Sequence, residues 1–395
     1  MLTIITFVII LGILVFVHEL GHFVVARRNG IKAEEFGFGF PPRAIGIQFL
    51  RSRDRKNPVK KWRIIWGSKD GDDSNEKKDI REARKKDFIG GTIYSLNWLP
   101  IGGFVKIKGE DGEEKKDKDS FSSKSAWIRV KVLAAGVVMN FILAWALLSL
   151  AFMIGSYEDV TGQNVSGSKI LIESIEEGSP ADTMGLMAGD ILVRGDGADF
   201  SSVTDVQEYI SKNRGKEVKL TVQRGNQTLE LSGTPRESVG EGKGLLGIAG
   251  FGEVVTVRYS LFQSLWRGLQ EMGYIFVEIG RVFAKLMQGE RTGVEVMGPV
   301  KLAIFTGQIL PLGFIFLLRF IAIFSINLGI INILPFPALD GGRILFIVIE
   351  KIKGSPVSQK VEQAFHSVGM FLLLGLMLYI TLREIFTSEL LDKIR

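Results

Sequence analysis

The sequence predicts a multi-pass α-helical membrane protein with four transmembrane helices, a membrane-associated β-hairpin region on one side and a small α+β domain on the other. Three observations predict it. First, apolar and charged residues are segregated along the 395-residue chain: residues 2–17 and 132–155 carry no charge, residues 302–339 carry only Arg319, and residues 368–382 again carry none. A helix needs about 20 apolar residues to cross a bilayer core, and the last run falls a little short of that by itself. Second, the net charge of +6 is unevenly spread: residues 27–131 hold 26 Lys and Arg against 16 Asp and Glu, whereas residues 156–266 hold 10 against 16. The excess of basic residues places the first loop in the cytosol and the second outside. Third, both loops contain short alternating apolar stretches bounded by turn residues, the pattern of strands.

Taken in order, residues 1–26 form the first transmembrane helix. Their apolar run has no basic leader, and His18 and Glu19 interrupt it where a signal peptide would carry small residues for cleavage, so the helix is retained. Residues 27–130 form the cytosolic or membrane-re-entrant β region. Within it Phe36-Gly-Phe-Gly-Phe40 and Ile101–Lys108 alternate with period two, and a charged insertion, Arg51–Asp87, separates them. The second transmembrane helix covers 131–155, the extracytoplasmic domain 160–235, the third helix 310–345 and the fourth 367–383. Between the last two, Arg343, Lys351, Lys353 and Lys360 outnumber Glu350 and Glu362, again on the cytosolic side. The three loops agree on both termini outside and a multi-pass protein of the inner (plasma) membrane. Residues 258–290 are apolar but carry Arg267, Glu271, Glu278, Arg281 and Lys285 at spacings of 4, 7, 3 and 4, all on one helical face. That is an interfacial amphipathic helix; a fifth crossing would invert everything after it.

Composition excludes several functions. The chain has no cysteine, which removes disulfide scaffolds, thiol nucleophiles, iron–sulfur clusters and Cys-type zinc sites. The basic runs at Arg51–Lys56 and Lys85-Lys86 are mixed with acids and carry no motif, so no nucleic acid is expected as a partner. Gly242-Lys-Gly-Leu-Leu-Gly247 matches the dinucleotide fingerprint in spacing but follows a polar linker and opens no βαβ unit. Asn164-Val-Ser and Asn226-Gln-Thr match glycosylation sequons, which carry no meaning if the source is bacterial.

The chemistry begins at His18-Glu19-Leu20-Gly21-His22. Histidines at i and i+4 stand one above the other on a helix face and can share a metal ion. Glu19, rotated by ~100°, is free to act on a water at that metal. Ionisable groups at membrane depth cost ~2.5–3.5 kcal/mol each, which marks them as functional. Catalytic zinc sites take three protein ligands. The only other histidine, His366, falls at the cytosolic edge of the fourth helix and reads as an ordinary surface residue. A buried carboxylate is therefore the expected third ligand, and Asp340 is the candidate, in Asn332-Ile-Leu-Pro-Phe-Pro-Ala-Leu-Asp-Gly-Gly-Arg343. Two prolines and two glycines break the helix there, which is tolerated at depth where the backbone lines a cavity. The alternative is a surface turn with Asp340 as a helix cap.

His18-Glu-Leu-Gly-His22 in the first helix, paired with the Asn-x-x-Pro-x-Pro-x-Leu-Asp-Gly block at 332–341, resembles the site-2 protease family of intramembrane zinc metalloproteases, most closely its bacterial RseP-type branch. The resemblance extends to Pro100-Ile-Gly-Gly-Phe-Val-Lys-Ile, Phe121–Trp127, Gly298-Pro299-Val300 and a PDZ-like segment with Gly178-Ser-Pro-Ala181 and Ala188-Gly-Asp-Ile-Leu192. It implies Zn2+ bound by His18, His22 and Asp340, with Glu19 as general base and proton shuttle. It also implies that Asn327 and Asn332 engage the substrate segment; interhelical hydrogen bonding is the alternative for both, worth ~0.6 kcal/mol. The glycine-bearing strands resemble the family's membrane-re-entrant β-hairpin, whose edge could pair with an unwound substrate. Two departures stand out: the charged insertion is long, and Val137 replaces the family's usual proline in Ala135-Gly-Val-Val-Met-Asn140 while Asn140 is kept.

The expected function is an intramembrane zinc endopeptidase cleaving single-pass transmembrane proteins in or near the bilayer, by resemblance anti-sigma factors already clipped outside, or remnant signal peptides. Its partners are those substrates and the lipid bilayer, with a peptide or substrate ectodomain contacting, or being excluded by, the one extracytoplasmic PDZ-like domain. The rivals are a non-enzymatic membrane PDZ scaffold and a metal transporter with the same ligands; neither needs a base such as Glu19 beside the metal.

Overall fold

In the computed structural model the residues described are 2–52, 60–67, 88–112, 114, 116–161, 163, 165, 167–238, 244–290, 297–355 and 357–387. In chain order the elements are helix α1 (Leu2–Arg28), strands β1 (Ala33–Ser52), β2 (Lys60–Trp66) and β3 (Phe88–Ile107), helix α2 (Ala126–Ile154), strands β4 (Ser156–Asp159) and β5 (Lys169–Ile175), and the short helix α3 (Pro180–Thr183). They continue with β6 (Ile191–Gly195), β7 (Ala198–Asp199), helix α4 (Val203–Lys212), β8 (Val218–Arg224), β9 (Gln227–Gly233) and β10 (Ile248–Val257). The remainder is helical: α5 (Leu261–Met287), α6 (Pro299–Ile309), α7 (Phe314–Ile333), α8 (Asp340–Lys353) and α9 (Gln359–Thr387). Among the described residues four helices are long and apolar enough to cross a membrane, namely α1, α2, α7 and α9. The chain divides into two units, the first made of Met1–Ala144, Val296–Ala303 and Ile323–Arg395, the second of Trp145–Glu295 and Ile304–Ala322.

In the first unit the helices approach closely through small residues, the usual solution where lipid removes any hydrophobic drive between helices. A Cβ on Gly21 of α1 would stand 2.3 Å from the Ala135 carbonyl oxygen of α2, so the two backbones touch. A Cβ on Gly329 of α7 would stand 2.5 Å from the Phe141 ring of α2, and Ser325 Oγ donates to the Asn140 carbonyl at 2.8 Å.

The sheet of this unit has the order β2-β1-β3. The run Glu35–Phe38 has two sets of partners in β3, Lys106 to Gly103 and Ile93 to Leu96, while Ile45–Gln48 pairs with both Leu96–Ile93 and Trp66–Arg63. It buries polar side chains beside Ala33 and Phe36, which pack on Phe23 of α1. Glu35 and Arg43 form a buried, two-pronged ion pair, Gln48 donates to the Gly91 carbonyl and accepts from Arg63, and Asn97 donates to the Gly39 carbonyl. Its exterior is aromatic: Trp62, Trp66 and Trp98 are 65%, 72% and 71% exposed, beside exposed Ile47, Phe49 and Leu96. This is the reverse of a sheet built for water.

Strand β2 lies inside the charged insertion, where no strand is expected from the sequence. Its alternation, Trp62, Ile64 and Trp66 on one face, is short and flanked by Lys60, Lys61 and Arg63. The rest of Arg51–Asp87, residues 53–59 and 68–87, lies outside the described residues.

The helix expected over 310–345 is three pieces. Leu310–Leu312 is a 3-10 turn, Gly313 at φ +108° starts α7 afresh, and α7 ends at Ile333. Pro335 and Pro337 cannot donate to a helix and disfavour helical geometry before them. The fourth helix starts at Gln359 rather than 367, because its first two turns are polar and fall outside the apolar run.

In the second unit the seven strands take the order β4-β10-β5-β6-β8-β9, with β7 on β6. Ile170, Ile172, Leu192, Val206, Leu220, Val222 and Leu246 form its core. Helix α4 begins with a capping box: Ser202 accepts from the Asp205 N–H, and Asp205 accepts from the Ser202 N–H. The domain expected over 160–235 ends too early, since β10 lies between β4 and β5. Its Gly250 and Gly252, with the glycine-rich stretch ahead of it, hide the strand pattern. The amphipathic stretch 258–290 is helix α5, with Phe262, Trp266, Tyr274 and Met287 exposed on it.

Candidate metal centre

The site lies within the first unit. His18 and His22 stack one turn apart on α1, both buried, with their Nε2 atoms 3.2 Å apart. Asp340, the first residue of α8, brings Oδ2 to 3.0 Å from His18 Nε2 and 3.3 Å from His22 Nε2. Bonds of about 2.0–2.1 Å from zinc to tetrahedral ligands put the ligand atoms about 3.3 Å apart, so these three donors have the spacing of three corners around one ion. The donor chemistry agrees. His22 Nδ1 lies 2.8 Å from the Val132 carbonyl, which can only accept; Nδ1 therefore carries the hydrogen and Nε2 the lone pair. Apart from the two imidazole nitrogens it faces, the buried Asp340 Oδ2 has no hydrogen-bond partner among the described residues. Two imidazoles and a carboxylate with a fourth corner left over fit catalytic zinc.

Glu19 is aimed elsewhere, as its place on the helix requires. Its Oε2 accepts the Val105 N–H of β3 at 3.2 Å, which fixes the carboxylate beside the donor cluster.

The supports come from α2 and from the turn between α7 and α8. A Cβ on Gly136 of α2 would stand 2.4 Å from His22 Nε2 and 2.6 Å from His18 Cε1, so only glycine leaves room for both rings. Gly341 and Gly342 pass within a Cβ's 2.2 Å of the Ile333 and Phe336 carbonyls, which folds the turn tightly enough to bring Asp340 inward. Beyond Asp340, Arg343 pairs with Glu110, and Arg129 with Glu350 at 2.8 Å.

His366 corrects an expectation. It is no surface histidine but a brace for this turn: its Nδ1 accepts the Ala338 N–H at 2.9 Å, and its ring lies against Phe346 and Phe365. Ala338 sits at φ +69°, a conformation that costs an alanine ~1 kcal/mol or more and persists only where neighbours impose it. One turn on in α9, Gly369 lies against Pro337 so closely that a Cβ would overlap it at 1.9 Å. The early start of α9 is what brings His366 onto the turn instead of to the water.

Asn327 and Asn332 are half-buried on α7, outside the donor cluster. Asn140 of α2, which the sequence marked only as a kept motif residue, is wholly buried beside His18.

Helices of membrane-crossing length that carry a His-Glu-x-x-His metal pair and a distant carboxylate define an intramembrane metalloprotease. Residues 6–53 and 83–376 match Peptidase family M50, and the chain belongs to that family. It is accordingly an intramembrane zinc metalloprotease and a multi-pass membrane protein. It is 30% identical to the regulator of sigma-W protease RasP of Bacillus subtilis, over 97% of this chain and 98% of that one. It is 32% identical to the zinc metalloprotease RasP of Bacillus licheniformis, over the same shares of each. Among solved structures, the PDZ domain of an SdrC-like protein from Listeria monocytogenes is 24% identical, covering 24% of this chain and 93% of that one with a TM-score of 0.19. Strand β2 falls in the part of the chain that the family match leaves out.

Proposed function

We propose that the protein cleaves single-pass membrane proteins within or near their spanning segment, at a zinc ion held by His18, His22 and Asp340. The observation that carries this reading is the convergence of three donor atoms, 3.0–3.3 Å apart, with Glu19 anchored beside them. Zinc bound there would supply Lewis acidity that polarises a peptide carbonyl and acidifies a water. Glu19 Oε2 is the general base: it takes a proton from the attacking water and returns it to the departing amide nitrogen. Asn327 and Asn332 engage the substrate backbone; their half-buried places on α7, the helix that leads into the Asp340 turn, support this. A helical substrate hides its peptide bonds in its own hydrogen bonds, so it must unwind to be cut. The outer edge of β3, whose Val105 N–H already points at Glu19, supports capture of the unwound segment as an added strand.

The substrate class is an anti-sigma factor already clipped outside, or a remnant signal peptide; the sigma-W role in the name of the Bacillus subtilis relative supports the former. The 27–131 segment is cytosolic, and both termini and the PDZ-like domain are outside the inner membrane, a reading that the charge asymmetry of the loops supports. The PDZ-like domain meets the substrate's outer stump or keeps out substrates with bulky outer domains.

The test uses the purified chain in detergent with a tagged single-pass substrate, and measures bound zinc together with cleavage. Wild type is expected to cut, Glu19→Gln to keep zinc but lose cleavage by about 100-fold or more, and Asp340→Ala to lose zinc. A Glu19→Gln protein that cuts as well as wild type would sink the protease assignment of this site and favour a scaffold or transporter.

A further inference from the structure

The two histidines are oriented by one helix, α2, and by two different groups on it. His22 donates its Nδ1 hydrogen to the Val132 backbone carbonyl, which settles its tautomer. His18 Nδ1 has no carbonyl opposite it; it faces the side-chain amide of Asn140, with Nδ2 at 3.2 Å. That amide is wholly buried, and its Oδ1 has no hydrogen-bond partner among the described residues. An NH2 group facing Nδ1 demands a lone pair there, which puts the ring's single hydrogen on Nε2. There it would point at His22 Nε2 and Asp340 Oδ2, 3.2 and 3.0 Å away, in the place a metal needs. The two ends of an amide exchange by a half-turn about Cβ–Cγ, and either way one end stays unpartnered, so the ring decides the orientation.

We propose that Asn140 is a positioning residue for the metal centre: with the metal seated it turns its carbonyl oxygen to His18, accepts the Nδ1 hydrogen, and holds the ring with its Nε2 lone pair toward the ion. The two histidines are then oriented alike, one by a backbone oxygen and one by a side-chain oxygen of the same helix. This rests on His18, His22 and Asp340 being the zinc ligands. Partners of this kind fix the ring and raise its basicity, and their removal typically costs ~10–100-fold in metal affinity.

Zinc affinity, measured by competition with a chelator on the full chain in detergent, tests it without reference to proteolysis. Asn140→Asp presents only oxygens and is expected to bind zinc within about threefold of wild type or more tightly, since a carboxylate accepts the Nδ1 hydrogen better than an amide does. Asn140→Leu, branched at Cγ as asparagine is but without an acceptor, and the smaller Asn140→Ala are expected to lose ~10–100-fold, with thermal midpoints of the metal-free proteins close to wild type. Wild-type affinity in Asn140→Leu or Asn140→Ala would overturn the proposal. So would equal losses in the Asp and Leu variants, which is what a purely structural role predicts. A wild type that binds no zinc overturns this proposal together with the ligand assignment. One that binds zinc but cuts nothing overturns only the protease reading of the site and leaves the role of Asn140 to the affinities.

Discussion

At the scale of single residues, the centre depends on an absent side chain as much as on those present. Gly136 faces the histidine rings at a distance no Cβ can occupy, and α1 and α2 are held too close for either to retreat. Gly136→Ala is therefore expected to weaken zinc binding by about tenfold or more by pushing a ring off its position, with the chain still inserted and folded. Chelator competition, with a thermal melt as control, reads both. The three donors that converge were legible in the sequence, because two histidines and a glutamate inside an apolar run cannot be there for solvation, and because, with no cysteine and His366 set aside, a carboxylate was the donor left to expect. Gly136, His366 and Val132 were not legible. A glycine in an apolar helix looks like any small packing residue, a half-buried histidine looks like a surface one, and a backbone oxygen leaves no mark in a sequence at all. Gly341-Gly342 did leave a mark, read as a helix breaker; what it permits is the close return of the chain against the Ile333 and Phe336 carbonyls.

At the scale of elements, legibility followed length and uniformity. Helices α1 and α2 could be read from long uncharged runs, since an apolar run in a membrane has one stable form. The α7–α8 break was visible as prolines and glycines but not as two helices, because Asp340 could equally have capped a turn. Strands β2 and β10 were missed for opposite reasons, one lost among lysines and arginines, the other interrupted by its own glycines. Helix α4 offers an element-scale prediction. Its capping box satisfies N–H groups that the helix leaves open, so Ser202→Ala is expected to cost about 1 kcal/mol locally. The N–H groups of Ser201 and Ser202 hold the Asp205 carboxyl below its ordinary pKa. A depressed folded-state pKa stabilises above the unfolded value, ~3.9, and that contribution is lost as the pH falls through the lower folded value. Hydrogen exchange on the first turn of α4 in the full chain should therefore speed up in Ser202→Ala. In wild type the same turn, after correction for the intrinsic pH dependence, should lose protection only below about pH 4.

At the scale of the whole molecule, the first unit's sheet exposes tryptophans and other large apolar side chains while burying several polar ones, which suits a surface facing lipid rather than water. Tryptophans concentrate where hydrocarbon gives way to headgroups. Reconstituted in bilayers containing brominated lipid, the protein should show strong quenching of tryptophan emission, and replacing Trp62, Trp66 and Trp98 with phenylalanine should remove much of the quenchable fraction. An unchanged fraction would place that face in water. Four helices of membrane-crossing length were legible from the sequence because hydropathy adds up over many residues; the sheet's exposed aromatic face was not, because its two faces are interleaved residue by residue with a large insertion between them. The donors of the centre are made in a fixed order. His18 and His22 leave the ribosome well before Asp340 and the His366 that braces its turn. Domains and helices form as they emerge, so a nascent or prematurely terminated polypeptide holds two donors and no third. A copy cut short before the Asp340 turn is thus an unarmed one, and the cell is spared a protease in its membrane until that turn has been made.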